Sequence, residues 1–287
     1  MTADKRPDAV LPPGLRERVM VASHQARPAG LAVPEISPDS PTGAFGRAAD
    51  SFFRTLNLLG DDDWHRHVLR DLDVQGLVGH LIGVEHDVQR GMSADPEVAT
   101  ANHVESTQPA ALAQAGRAPA ATAAEWREAV DATLAVAAES DLDASVAIYG
   151  VPLRLRDLLV ARTFELWTHE NDIRAVADLE PSAPEPSTLR PMTELATALL
   201  PFGAAATNLH EPMSVHLVLT GPGGGTWDVT VGDPPPDSDE VGIVTDTVGF
   251  CRLVANRVSP SDLDVLVTGD ARLATSVLTA AAALALD

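Results

Sequence analysis

The sequence predicts a multi-domain α and α+β chain, a four-helix bundle followed by a small α+β domain, and three observations predict it. Four segments between residues 44 and 178 repeat apolar side chains at helical spacing. After about residue 212 the spacing changes to alternation, with "SVHLVLT" and "TWDVTV" on either side of the glycine-rich "GPGGG". The 287 residues exceed what one small core organises and suit two domains.

Residues 1–43 are rich in proline and turn formers, with one short helical candidate at Pro13 to Ser23, and read as an extension over the main fold. The bundle is assigned to residues 44–205. Its first helix runs from Ala44 to about Leu59 and Gly60 stops it. "DDDWHRHVLRDL" is an irregular link. The second helix spans Val74 to Met92 with Asp73 as N-cap. Pro96 to Gly116 has little periodicity and reads as a long loop, a kind of segment that tends to be functional in compact domains. The third helix covers Thr122 to Glu139, opened by a capping box of Thr122 and Glu125. "DLDASVAIYGVPLRL" is a connector turning at Gly150 and Pro152, and the fourth helix runs from Leu155 to Asp178. A further helix follows at about Met192 to Leu200. The α+β domain occupies 212–287: the hairpin, a helix at Thr247 to Asn256, a strand "LDVLVTG" and a closing helix from Ala271 capped by Asp270.

Composition removes several function classes. With 41 acidic against 20 basic residues the formal charge is −21, which opposes binding to phosphate backbones, so nucleic acid is no expected partner. The sole cysteine, Cys251, allows neither an internal disulfide nor a cluster of thiolate ligands, and its apolar helix suits an inert thiol. The N-terminus lacks a secretory apolar run, and no stretch approaches the roughly 20 apolar residues that span a bilayer, so the expectation is a soluble cytoplasmic protein with no membrane partner.

The fourth helix contains "ARTFELWTHENDIRAVADL", in which Arg162, Glu165, His169 and Asp172 recur at three, four and three residues and so line one stripe. Glu165 and His169 can offer one oxygen and one nitrogen to a single divalent ion. A third donor is His80 on the second helix, in "DVQGLVGHLIGVEHDVQRG", where Gly76, Gly83, Val84 and Asp87 share its stripe. Small residues there let a helix approach closely or leave room for a ligand. Two imidazoles and a carboxylate match the three-ligand catalytic zinc pattern with one open coordination position. A buried polar network, or a helix face turned to solvent, would read the same way. Asp172 or Asp87 would then orient a ligand imidazole, and Arg162 would pair with Glu165 or meet an anionic substrate. His65, His67, His86 and His103 read as surface or loop residues, and Trp64, Trp126 and Trp167 as packing.

Those two helical stretches, in that order and about eighty residues apart, resemble the mycothiol-dependent maleylpyruvate isomerase family, and "VTDTVGFCRLVANRVSPSDLDVLVTGDARLATSVL" is similar to its C-terminal domain. The resemblance implies a DinB-like bundle, a C-terminal domain related to sterol-carrier proteins, and zinc or another divalent metal on His80, Glu165 and His169. It implies mycothiol, a low-molecular-weight thiol, as cosubstrate, with a metal-bound thiolate attacking a small electrophile in an isomerase or an S-transferase of a GC-rich actinobacterium. The family's usual Gly-Arg is Asn256 and Arg257 here. That places Arg257 as the candidate catalytic residue for a substrate carboxylate, with Arg272 competing. A metal-binding protein without catalysis and a thiol-independent metal hydrolase are the alternative functions.

Overall fold

In the computed structural model the described residues are 36–232 and 240–285; the helical candidate at 13–23 lies outside them. The bundle is built from four long helices. The first, α1 (Pro41–Leu56), begins three residues earlier than its apolar pattern, because the Ser40 side chain caps it by accepting from Gly43 N–H and Pro41 suits a first helical position. The link after it is ordered: a 3₁₀ turn (Asp61–His65) buries Trp64, and β1 (His67–Leu69) pairs with β2 (Leu72–Asp73). Helix α2 (Val74–Met92) has the bounds the sequence predicts, with the Asp73 carboxylate on Gly76 N–H.

The expected loop at 96–116 is largely helical. It forms α3 (Pro96–Ala99) and α4 (His103–Ala113), the latter capped by the Asn102 side chain. Helix α4 lies along α2, and two glycines of α2 set the approach. A Cβ on Gly79 would fall 2.8 Å from Ala111 Cα, and one on Gly83 would fall 3.0 Å from Thr107 Cα. Only glycine permits that seam.

Helix α5 (Pro119–Ala138) also starts early, and the capping box is absent: Ala118 occupies the cap, and Pro119 leads the first turn. Thr122 is buried and donates to Gln114, while Glu125 accepts from Arg117. The connector is a hairpin of β3 (Ser145–Ile148) and β4 (Val151–Arg154), turned through Tyr149 and Gly150 at φ 53° and 79°, both left-handed as a two-residue hairpin requires. Helix α6 (Leu155–Val176) completes the bundle. In it α1 packs on α6 and α2 on α5 around Phe45, Phe52, Leu77, Leu81, Trp126 and Leu159.

Helix α7 (Pro186–Ala206) runs through Pro191 and Pro201, the two prolines that bound it in the sequence. Ala196, Leu200 and Ala204 belong to the core under the C-terminal sheet, and that burial offsets the helix cost of proline. Strands β5 (Met213–Thr220), β6 (Gly225–Val231), β7 (Glu240–Asp246) and β8 (Leu266–Thr268) form one sheet in the order β6-β5-β7-β8. The sequence reading omits β7, which pairs parallel to β5. Strand β5 buries Met213, Val215, Leu217 and Leu219 on one face, against α7 and the two remaining helices, α8 (Thr247–Val254) and α9 (Ala271–Ala282). No helix among the described residues is long and apolar enough to cross a membrane.

Candidate metal centre

The charged stripe of α6 faces inward. Arg162 and His169 are buried, and one donor atom from each of His80, Glu165 and His169 lies within 4.8 Å of the others. His80 sits mid-way along α2, where its Nδ1 is 2.7 Å from Thr107 Oγ1. That hydroxyl donates to the His103 carbonyl at 2.9 Å, so it accepts from His80 Nδ1–H. The lone pair is thereby fixed on Nε2, which lies 3.7 Å from Glu165 Oε1. Burial pushes the His80 pKa down against the opposing pull of Glu165, which keeps the imidazole neutral, the form a cation needs.

Glu165 is held by its other oxygen. Oε2 accepts from Arg162, whose guanidinium also grips the fully buried Glu85 at 2.6 Å. Burial alone would raise the Glu165 pKa, but Arg162 and then His80 outweigh it and hold it well below the usual carboxylate range. An ionised carboxylate results, and its Oε1 is buried with no hydrogen-bond partner. Such an atom is costly unless something positive meets it. On α6 one turn further on, His169 Nδ1 lies 3.0 Å from Asp172 Oδ2. Asp172 accepts two hydrogen bonds of 2.9 Å from Arg257 across the domain boundary. Burial works against the Asp172 charge, yet His169 and Arg257 together hold its pKa low. Two nitrogen donors with their far sides anchored, plus a carboxylate oxygen lacking a partner, fit a divalent ion.

Residues 45–174 match the family model for the mycothiol maleylpyruvate isomerase N-terminal domain. The bundle belongs to that family. Two solved structures share the fold more widely. One is a mycothiol-dependent maleylpyruvate isomerase, 16% identical with a TM-score of 0.53 over 79% of this chain and 91% of that one. The other is a histidine-to-alanine mutant under the same name, 14% identical with a TM-score of 0.55 over 78% and 91%. No curated protein sequence matches the chain. The family match stops at residue 174, so the likeness of the C-terminal domain to sterol-carrier proteins rests on the sequence resemblance alone.

Within this isomerase-family bundle one histidine departs from its expected place. His103, expected on a loop or surface, opens α4 with its side chain only 13% exposed, and its Nε2 is 3.7 Å from Glu165 Oε1. Its ring centroid is 4.9 Å from that of His80 and 4.6 Å from Tyr149. The sequence carried one signal for it: glycines four apart on α2 imply a helix packed against them. His65, His67 and His86 are exposed as expected. Asp87 does not orient a ligand imidazole; it accepts from Ser106 and Tyr149 and pairs with Arg90.

Arg257 is placed on Asp172, and it lines a hollow with Arg252, Trp167 and Asn171 rather than the cavity beside the three donors. Arg272 pairs with Glu211 on the surface. The cavity that reaches Glu165 and His169 measures about 140 Å³ and continues between α6, α7 and the end of α9. Trp64 and Trp126 are packing residues, and Trp167 is buried with its indole N–H on the Ser182 carbonyl. Cys251 is buried, which pushes its thiol pKa up.

Proposed function

We propose that the chain is a cytoplasmic, zinc-dependent enzyme that uses mycothiol to isomerise, or to add sulfur to, a small electrophile, with the ion on His80, Glu165 and His169. The observation that carries this reading is the convergence of those three donors around a buried carboxylate oxygen with no hydrogen-bond partner. The mycothiol-dependent activity named for the structural neighbours supports it. A divalent ion in this position lowers the pKa of a thiol that reaches it, supplying a thiolate near neutral pH.

The chain's own residues do the positioning. Thr107 fixes the His80 tautomer, Arg162 holds one Glu165 oxygen away from the centre, and Arg257 acts through Asp172 on His169. In an isomerase the sulfur forms a C–S bond to a conjugated double bond, whose electrons move to the neighbouring carbonyl. Rotation about the resulting single bond and cleavage of C–S return the thiol with the product of altered geometry. In a transferase the C–S bond stays.

Metal analysis of the purified protein tests the reading, with about one ion per chain expected and a loss of at least about tenfold in affinity after His169→Ala. Mycothiol supplied with maleylpyruvate, and separately with an uncharged model electrophile, tests turnover. A metal-free wild-type protein, or metal without thiol-dependent turnover of any electrophile, refutes the reading; the second result leaves a metal-binding protein.

A further inference from the structure

The cavity beside the three donors is walled by Leu158, Phe164, Leu195, Leu199, Val254 and Leu284, contributed by both domains. Among its described lining residues Arg162 is the one Lys or Arg side chain, and that guanidinium is already shared between Glu85 and Glu165. Arg257, the residue expected to take a substrate carboxylate, is spent on Asp172 and lies outside this lining. Of the other groups at the inner end, Tyr149 donates to Asp87 and His169 is held by Asp172, while His103 Nε2 lies 3.7 Å from Glu165 Oε1.

Charge decides what this cavity accepts. One guanidinium against two carboxylates leaves one net negative charge beside the donors. A divalent ion reverses it to one positive, and an incoming thiolate cancels that. A carboxylate on the second substrate would then be buried with no counter-charge, which is heavily unfavourable. An aliphatic cavity of about 140 Å³ is instead the size that holds a benzene-sized guest.

We propose that the second substrate is an uncharged electrophile whose apolar group, about the size of a benzene ring, fills this cavity, and that the chain does not act on dicarboxylates. The proposal rests on the metal and thiol reading for the reaction itself, but the cavity's preference can be measured without either. Toluene and benzoate, which share a phenyl ring and differ in charge, are the probes, titrated into the full-length metal-free protein and into the zinc-loaded protein by ligand-observed NMR.

Toluene is expected to bind at least about tenfold more tightly than benzoate in both forms. Leu199→Trp, which fills the cavity from the half-buried face of α7, should weaken toluene binding by about tenfold or more. Leu195→Arg, which adds a guanidinium to the wall, should shift the preference toward benzoate, with circular dichroism confirming that each variant is folded. Benzoate binding as tight as toluene in the wild type overturns the proposal, as does toluene binding unaffected by Leu199→Trp. If toluene binds as expected while the protein carries no metal, the enzymatic reading fails and the cavity assignment stands. Thiol-dependent turnover without toluene binding is the opposite case: the enzymatic reading stands and the cavity assignment fails.

Discussion

The two halves of the molecule bury different chemistry. Every charged side chain buried among the described residues, including Glu85, Asp87, Arg162 and Glu170, lies in the bundle with His80 and His169; the buried polar residues of the sheet domain are threonines, Thr245 and Thr247. A dry core is sufficient to hold a fold. Ionisable groups in a core are costly, and their concentration in one half makes that half the candidate for chemistry, while the other half supplies an apolar wall and a single guanidinium.

The strongest way to break this contrast is at the Arg162 network. Glu85→Ala removes one of two carboxylates from a guanidinium that is 2% exposed, and should cost about 3–5 kcal/mol in urea unfolding, because the remaining charge is left half-paired in the core. Replacing the whole set, Glu85→Leu with Arg162→Met and Glu165→Gln, leaves no charge unpaired and should recover much of that stability while lowering metal affinity, since the carboxylate donor is gone. A triple variant no more stable than the single one would show that this network is not the source of the loss.

Next in size is the link between the halves. Asp172→Asn should weaken metal binding by about 10- to 100-fold in a chelator competition, with little change in folding stability. Arg257→Met should weaken it in the same direction and less, because Asp172 keeps its contact with His169. Unchanged affinity in both would detach the sheet domain from the centre.

Gly83→Ala comes third. Its new Cβ meets Thr107 Cα at 3.0 Å, so α4 must shift, and the cost of about 1–2 kcal/mol is the steric loss reduced by alanine's better helix propensity. Because Thr107 fixes His80, metal affinity should fall as well; an Ala variant with native affinity would mean that α4 adapts without disturbing the histidine. Smallest is Cys251→Val in the dry half, expected to cost less than about 1.5 kcal/mol and to leave metal content unchanged. The native thiol should resist alkylation until the protein unfolds, as its burial implies.

Legibility in the sequence followed the same division of causes. Helix α2 could be read to the residue because Asp73 caps it and its apolar face is its own, and the donor set could be read because Glu165 and His169 share one helix face. Helix α4 could not, since Pro109 lies inside it and its apolar residues mark no single face; its place depends on two glycines of another helix. Strand β7 was hidden in "EVGIVTD", whose central glycine and charged ends weaken a strand pattern that its parallel pairing with β5 stabilises. The Arg257–Asp172 contact joins residues 85 apart in the chain, a distance over which spacing carries no geometric information.

The same contact constrains how such proteins can be recombined. A hybrid that joins this bundle to a relative's C-terminal half must bring an arginine to the Asp172 carboxylate, or the group that holds the imidazole one turn away is left without its own anchor. Grafting experiments and domain shuffling alike would therefore succeed or fail at a pair of side chains on the seam, even where each half folds well alone.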